Sequence, residues 1–139
     1  MDERYRLVDG APTVEEYLRL RAESGLSPKR ADQAGPAIAG SWRIVRVEDT
    51  TDGTVVAMGR IVGDGGWYFQ IADMAVLPEH QHRGVGAAVL DHLLAVIRAE
   101  APPDPYVTLM ADAPGRVLYA RRGFVETAPH SLGMVLARP

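Results

Sequence analysis

Two glycines, Gly84 and Gly86, open a helix shortly after a buried strand that ends at Pro78. The strand and the polar loop before the glycines read Met74-Ala75-Val76-Leu77-Pro78-Glu79-His80-Gln81-His82-Arg83. Glycine lets a ligand come close to the backbone, and free N–H groups at a helix start bind phosphate with help from the helix dipole. The pattern therefore predicts a binding site for a pyrophosphate group.

Two common phosphate-binding motifs do not fit this segment. A P-loop needs Lys followed by Ser or Thr after its second glycine, whereas Ala87-Ala88 follow here. A dinucleotide-binding fingerprint needs Gly or Ala at the position of Val89 and an acidic residue ending the next strand, which is missing. That fingerprint also belongs to a first strand, and this segment comes late in the chain. A third type of phosphate-binding loop is therefore the remaining candidate for this segment.

The segment resembles the GNAT superfamily of N-acetyltransferases, whose phosphate loop has the pattern Gln/Arg-x-x-Gly-x-Gly/Ala. Gln81-His82-Arg83-Gly84-Val85-Gly86 meets that pattern. The preceding Met74-x-Val76-x-Pro78 is similar to the family's strand, and Tyr119-Ala120-Arg121-Arg122-Gly123-Phe124 matches its Tyr-x-x-x-Gly-Phe. A lone Gly-x-Gly would be weak, but the three pieces in this order and spacing are specific. The resemblance is clearest from Ile71 to Phe124.

A looser resemblance to plant and cyanobacterial aralkylamine N-acetyltransferases involves Ala111-Asp112, Tyr119, Gly123-Phe124 and Gly133-Met134. It suggests a class of substrate and nothing finer. Asp112 is included among the predicted cofactor-binding residues.

The resemblance implies a mixed α/β fold of α+β type, with a mostly antiparallel sheet splayed between strands 4 and 5 and about four flanking helices. Acetyl-CoA would lie in the gap between those strands. Backbone groups of Met74, Ala75 and Val76 would pair with its pantetheine arm, and a backbone N–H there would stabilise an oxyanion. The pyrophosphate would bind at the loop and the helix start, at Gln81, His82, Arg83, Gly84, Val85, Gly86 and Ala87.

Two catalytic residues follow from the same resemblance. Tyr119 matches the family's general acid, which protonates the departing CoA thiolate. Asp73, next to Met74, is the leading candidate for the base, acting directly or through water, and its alternative is a structural carboxylate on the other face of the sheet. A base is needed because an amine with a pKa of about 10.4 is mostly protonated at neutral pH.

Histidine and aromatic residues offer further candidates. His80 and His82 lie in the phosphate loop, and His130 could line an acceptor site, but the four histidines show no metal-ligand spacing, so no metal is expected. Trp67 and Tyr68 belong to the strand before Asp73, where they form either sheet core or a pocket wall. The loop from Ser24 to Ser27 occupies the place where relatives hold the acceptor.

The elements that position these residues can be predicted from periodicity and caps. Strands are expected over 4–8, 42–47, 55–62, 67–77 and 106–110, with a terminal strand pair over 124–136. Helices are expected from the Thr13/Glu16 capping box to Gly25, from Ser27-Pro28 to Ala37, over 84–99 and over 114–122. The order is that of a single mixed α/β domain over residues 1–139.

Composition narrows the possible functions. The chain has 139 residues, 47% of them hydrophobic, and a net charge of −3, which favour one globular domain and disfavour a nucleic-acid partner. It contains no cysteine, which excludes disulfides, thiolate metal sites and a cysteine nucleophile and agrees with a cytoplasmic location. No segment has the pattern of a secretory signal or a membrane span.

The predicted function is therefore transfer of an acetyl group from acetyl-CoA to a primary amine of a small molecule, by direct attack in a ternary complex. The alternatives are a CoA-binding module without catalysis and an acetyltransferase for a protein amino group. A homodimer is possible.

Overall fold

The computed structural model describes residues 1–138. The elements, in chain order, are β1 (Tyr5–Asp9), α1 (Val14–Glu23), α2 (Ala31–Ala39), β2 (Arg43–Asp49), β3 (Val55–Gly63), β4 (Tyr68–Val76), α3 (Val85–Glu100), β5 (Tyr106–Leu109) and α4 (Arg116–Arg121). Short 3-10 turns lie at Pro78–His80 and Ala113–Gly115. The chain divides into a large unit that ends at Leu109 and a small unit that begins at Met110. The predicted single-domain organisation stays a prediction.

The large unit is built on a five-stranded sheet in the order β1-β2-β3-β4-β5. Strands β1 to β4 pair with one another in antiparallel fashion, and β5 is parallel to β4. This arrangement confirms the predicted mixed α/β fold with four helices. No helix among the described residues combines the length and the apolar character needed to cross a lipid bilayer.

Helices cover both faces of the sheet. A Cβ added at Gly59 would lie 2.6 Å from Val89 and 3.1 Å from Leu93, so this position of β3 faces α3. The next residue, Arg60, hydrogen-bonds to the carbonyl of Ala37 in α2. Because consecutive strand residues point to opposite faces, α3 covers one face and the α1–α2 pair the other. The core lies between these layers and includes fully buried Phe69, Ile61, Leu90 and Leu93.

Local sequence signals explain where the helices start and end. The Thr13/Glu16 capping box predicted for α1 is present in both directions. Gly25 follows the helix with a φ of 92°, as a glycine that ends a helix does. The start predicted for the second helix is wrong, because α2 begins at Ala31 and not at Pro28. Ser27 does not cap that helix, since its carbonyl and hydroxyl oxygens accept hydrogen bonds from Arg21.

The predicted terminal strand pair over 124–136 is also wrong. None of the described residues in this stretch is assigned to a strand. The backbone instead closes a local turn, in which the N–H of Ser131 donates to the carbonyl of Thr127. The alternating apolar side chains that suggested strands are mostly exposed, among them Val125, Leu132, Met134, Val135 and Leu136.

Candidate functional site

A bulge interrupts β4 near its carboxyl end. Arg60 pairs with Ala72 and Met58 pairs with Ala75, so the single residue Gly59 of β3 lies opposite two residues, Asp73 and Met74. Asp73 has a φ of 54°, which is unusual for a residue with a side chain. A bulge takes a residue out of the regular ladder and redirects the side chains around it, and bulges are frequent beside active sites. The bulge therefore makes this part of β4 a candidate for the functional site.

The fifth strand covers only the first half of β4. Its register runs from Tyr68 opposite Tyr106 to Ile71 opposite Leu109. Residues 72–76, which include the bulge, pair with β3 but not with β5. The backbone edge of Met74, Ala75 and Val76 is therefore free of a β5 partner. The gap predicted between strands 4 and 5 is present in the sheet topology.

The loop after β4 leads into α3 in the way the glycine pattern predicts. Gly84 is the N-cap of α3 and has a φ of 78°, in the left-handed region that glycine adopts without cost. No side chain caps this helix start. A 16-residue helix whose first N–H groups lack a side-chain cap suits an anion, so Val85, Gly86 and Ala87 fit a pyrophosphate.

The other residues of the predicted phosphate loop differ in their hydrogen bonds and in their exposure. The side-chain amide of Gln81 donates to the carbonyl of Val76 at 3.0 Å and so ties the loop to the end of β4. His82 has a φ of 58° and is exposed, as is Arg83. His80 is buried, and its Nδ1 lies 2.9 Å from the hydroxyl of Tyr5. Among residues 1–138, no cluster of histidine and acidic side chains that could hold a metal ion occurs.

Asp73 is the centre of a charged cluster on the α1–α2 face. Its carboxylate accepts hydrogen bonds from the Tyr17 hydroxyl and from Arg21, both on α1. Arg60 Nε on β3 donates to the same carboxylate at 2.7 Å. The side chains of Asp73, Arg21 and Arg60 are 7%, 11% and 17% exposed, so the ion pairs lie largely away from water.

The surroundings of Asp73 decide how basic it is. Burial alone would raise its pKa, but the hydrogen bonds from Tyr17 and Arg60 and the charges of Arg60 and Arg21 together hold the pKa below its usual value. Burial, followed by the hydrogen bond to Asp73, raises the pKa of Tyr17. A carboxylate held ionised in this way is a weak proton acceptor. Its proposed role as base is untested and stays a prediction.

A pocket opens beside this cluster, with a volume of about 220 Å³. It lies between α1, α2, β3 and β4, and it is lined by Tyr17, Arg21, Lys29, Gln33, Ala34, Ala37, Arg60 and Asp73. No sequence motif pointed to a functional role for Tyr17, Arg21, Lys29 or Arg60. The only signal was the four-residue spacing of Tyr17 and Arg21, which places both on one side of a helix.

Tyr119 lies on α4 in the small unit, and its motif has a local explanation. Gly123 follows α4 with a φ of 92°. The N–H of Gly123 donates to the carbonyl of Ala120, and the N–H of Phe124 donates to that of Tyr119. These are the two hydrogen bonds of a Schellman motif, and the Tyr119 and Phe124 rings are in contact with centroids 6.1 Å apart. Tyr-x-x-x-Gly-Phe is therefore a helix-ending signal that fixes the Tyr119 ring.

The environment of Tyr119 keeps its hydroxyl protonated. Burial, and to a lesser extent the charge of Asp112, raises the pKa of the phenol. A Cβ at Gly115 would lie 2.6 Å from the Tyr119 ring, so the glycine provides room for that ring. Asp112 precedes the 3-10 turn that leads into α4. The predicted acid and the predicted cofactor residue are thus near each other within this unit.

Comparison with known proteins gives a consistent result. The family model described as the acetyltransferase (GNAT) domain matches residues 41–126. A solved structure from meticillin-resistant Staphylococcus aureus, described as a protein of unknown function and probable acetyltransferase, is 34% identical with a TM-score of 0.90, and the match covers 96% of this chain and 99% of that one. A search of curated proteins finds no match.

More distant structures share the fold. A GNAT-family acetyltransferase from Streptococcus pneumoniae is 22% identical, with a TM-score of 0.80 over 96% of this chain and 98% of that one. Glucosamine-6-phosphate N-acetyltransferase from Arabidopsis thaliana is 14% identical, with a TM-score of 0.72 over 96% and 98%. At such identities the similarity concerns the fold alone.

Proposed function

Because the chain belongs to the GNAT family of acetyltransferases, we propose that it transfers an acetyl group from acetyl-CoA to a primary amine of a small molecule. The observation that carries this proposal is the combination of the bulge in β4, the β5 strand that covers only half of β4, and the glycine-rich start of α3. These three features lie along one strand–loop–helix segment. No metal takes part in the proposed reaction.

Each of these features has a binding role in the proposal. The amides at the start of α3, from Val85 to Ala87, bind the pyrophosphate, and Arg83 adds positive charge beside it. The free edge of β4 from Met74 to Val76 binds the amide groups of the pantetheine arm, as a neighbouring strand would. When bound, acetyl-CoA supplies an activated thioester. In the proposal the amine attacks the thioester directly while both substrates are bound, and the chain has no cysteine that could carry the acyl group as a thioester instead.

Proton transfers are assigned to two side chains. Tyr119 holds a proton at its hydroxyl for the leaving thiolate, and its raised pKa keeps that proton in place at neutral pH. Asp73 is proposed to help receive the proton of the amine through water, or to orient the groups around it. The acceptor is proposed to be a small molecule, although one protein with the same fold, the ribosomal-protein-S18-alanine N-acetyltransferase of Escherichia coli, is named for a protein substrate.

The test combines turnover with binding. Acetyl-CoA is incubated with a panel of amines, and thiol release is followed. Gly86→Asp puts a carboxylate at the second residue of α3, so calorimetry should show CoA binding largely lost while the thermal melt stays cooperative. The control, Ala95→Asp, adds the same charge at an exposed site of the same helix. Undiminished CoA binding by Gly86→Asp would contradict the phosphate site, and CoA binding without turnover of any amine would favour a non-catalytic module.

A further inference from the structure

The pocket beside Asp73 carries more positive than negative charge. Arg21, Lys29 and Arg60 line it together with a single carboxylate, that of Asp73, which leaves a surplus of two positive charges. The other lining side chains are uncharged, including Tyr17, whose raised pKa keeps it neutral. An ammonium group placed here would meet two arginines around the only carboxylate. The pocket therefore repels a cation and attracts an anion.

Two of the cationic groups have hydrogen-bond donors to spare. Arg60 uses Nε for Asp73 and Nη1 for the Ala37 carbonyl. Among residues 1–138, its Nη2 has no hydrogen-bond partner, and the Lys29 ammonium forms no hydrogen bond or ion pair. Arg21, in contrast, is engaged by Asp73 and by both oxygens of Ser27. Arg60 Nη2 and Lys29 Nζ are thus the donors that a bound anion would meet.

Asp73 keeps the arginines in position. Because it accepts from Arg21 and from Arg60 Nε, it fixes both guanidinium groups while leaving the outer edge of Arg60 available. A fixed guanidinium loses little side-chain freedom when it binds an oxyanion, and a planar Arg edge suits carboxylate and phosphate alike. A volume of about 220 Å³ suits one such group with a short linker and is small for a whole drug-sized molecule.

The location relates the pocket to the transfer site. Asp73 and Met74 are the two bulged residues of β4, and consecutive Cα atoms lie about 3.8 Å apart. Asp73 projects towards α1, whereas a Cβ at Gly59 would lie 2.8 Å from Met74 Sδ on the α3 side. The pocket therefore includes the residue directly before the free edge of β4, to which the proposed acetyl-CoA site belongs.

From these observations we infer that the acceptor is a small amine that also carries an acidic group, a carboxylate or a phosphate, and that Arg60 and Lys29 bind this group. That the bound molecule is the acceptor rests on the proposed function, whereas the existence of the anion site does not. The Lys29–Arg60 site determines specificity, and it takes no part in the chemical step.

The turnover experiment uses matched pairs of amines. Phosphoethanolamine is compared with ethanolamine, and phenylalanine with phenethylamine, so that each pair differs only in its acidic group. We expect the acidic member of at least one pair to have a kcat/KM about tenfold higher or more. Preference in the phosphate pair or in the carboxylate pair identifies the anion. Equal or reversed kcat/KM within both pairs would overturn the inference, even if every amine were acetylated.

Single substitutions test which side chain causes the preference for the acidic amine. Lys29→Gln should reduce the preference for the acidic member of a pair by raising its KM, with kcat little changed. The loss should be only severalfold, because the charge of an exposed lysine is partly screened by solvent. Arg30→Gln is the matched control, since it removes the same charge one residue away, from a side chain that pairs with Asp32 outside the pocket. An equal loss in both variants would indicate a general electrostatic effect and contradict a specific site.

A binding measurement separates this inference from the proposed function. Inorganic phosphate and acetate are titrated into the free protein while the side-chain N–H signal of Arg60 is followed by NMR. A saturable shift that weakens in Lys29→Gln but not in Arg30→Gln supports the anion site even if no amine is turned over. No saturable shift with either anion would overturn it even if CoA binds.

Discussion

The chemistry of Asp73 is determined by hydrogen-bond donors that lie far from it in the chain. Its place beside Met74 follows from the resemblance of the strand and loop. Its donors, Tyr17 and Arg21 on α1 and Arg60 on β3, lie 56, 52 and 13 residues away in the chain. No local pattern links those positions, so the lowered pKa of Asp73 could not be predicted from the sequence.

Replacing Asp73 with asparagine tests both its structural and its catalytic role. Asp73→Asn should lower the melting temperature, because Arg21 and Arg60 lose their carboxylate, at a cost on the order of 1–3 kcal/mol. It should also lower kcat, while the pH profile of kcat/KM keeps its shape between about pH 5 and 9, since the lowered pKa puts the Asp73 titration below that range. An acidic limb in the wild type that disappears in the variant would show that Asp73 does take the proton.

Tyr119 allows a cleaner substitution. Tyr119→Phe keeps the ring that contacts Phe124 and fits against Gly115, so the melting temperature should change little. If the hydroxyl protonates the thiolate, kcat should fall about 100-fold, at the lower end of general-acid effects because a thiolate leaves tolerably well unprotonated. Tyr106→Phe, at an exposed tyrosine of β5, serves as the control. Turnover within about twofold of wild type, with chemistry rate-limiting, would exclude Tyr119 as the acid.

At the scale of elements, most strands and helices agree with prediction, but the helix start at Ser27-Pro28 and the strand pair over 124–136, predicted from a cap signal and from alternation, do not. Where prediction and structure agree, a local signal such as the Thr13/Glu16 capping box or Pro78 gives the chain a reason to begin or end an element. The stretch over 124–136 has strand-like alternation, but alternation predicts a strand only where one face is buried. Its exposed side chains show that this condition is not met.

The bulge in β4 also escaped prediction, although one of its supports is a glycine on the neighbouring strand. Gly59 lies opposite the two bulged residues, and a side chain there would collide with Val89 and with Met74 Sδ, at 2.6 and 2.8 Å from the added Cβ. A glycine within a strand often marks a bulge or a close approach. That signal was present in Met58-Gly59-Arg60, but without the register it does not say which partner strand is bulged.

Adding one methyl group at Gly59 tests this packing. Gly59→Ala should destabilise the protein by about 1–3 kcal/mol through overpacking, and it should weaken CoA binding if the bulge moves. Gly35→Ala is the control, because nothing lies within 4 Å of an added Cβ inside α2, and alanine favours a helix by up to about 1 kcal/mol. Urea unfolding measures the change in stability of both variants, and calorimetry measures CoA binding. A Gly59→Ala variant as stable as wild type would mean that β3, β4 and α3 adjust to the extra atom.

At the scale of the whole molecule, paired carboxylates link folding to pH. Asp49 is buried, and the hydrogen bonds from Arg4 and Thr51 lower its pKa. Asp73 is the second such group. A carboxyl group whose pKa is lower in the folded protein than in the unfolded chain stabilises the fold. Its contribution is complete at pH values above the unfolded-state pKa, near 3.9, and it is lost as the pH falls through the folded-state pKa.

We therefore expect the urea midpoint to be insensitive to these two groups between about pH 5 and 8 and to fall steeply below about pH 4. Asp49→Asn should lower the midpoint at neutral pH and make the decline towards low pH less steep. Glu3→Gln is the control, since Glu3 is exposed and forms no ion pair among the described residues. A decline of unchanged steepness in Asp49→Asn would show that other groups govern acid unfolding.

The pairing of β4 with β5 joins residues that lie far apart in the chain, and this affects how the sheet assembles. Strands β2, β3 and β4 are joined by short turns and can close as hairpins soon after they leave the ribosome, whereas Tyr106 must return across α3 to meet Tyr68. Pairings between distant residues close late, and a four-residue strand at the edge of a sheet is held by few hydrogen bonds. The same strand should be the first to open in the folded protein. The side of the gap that β5 forms should therefore pair late, as should β1 at the opposite edge, whose Tyr5 must meet the distant Asp49, and the short β5 should open before the rest of the sheet.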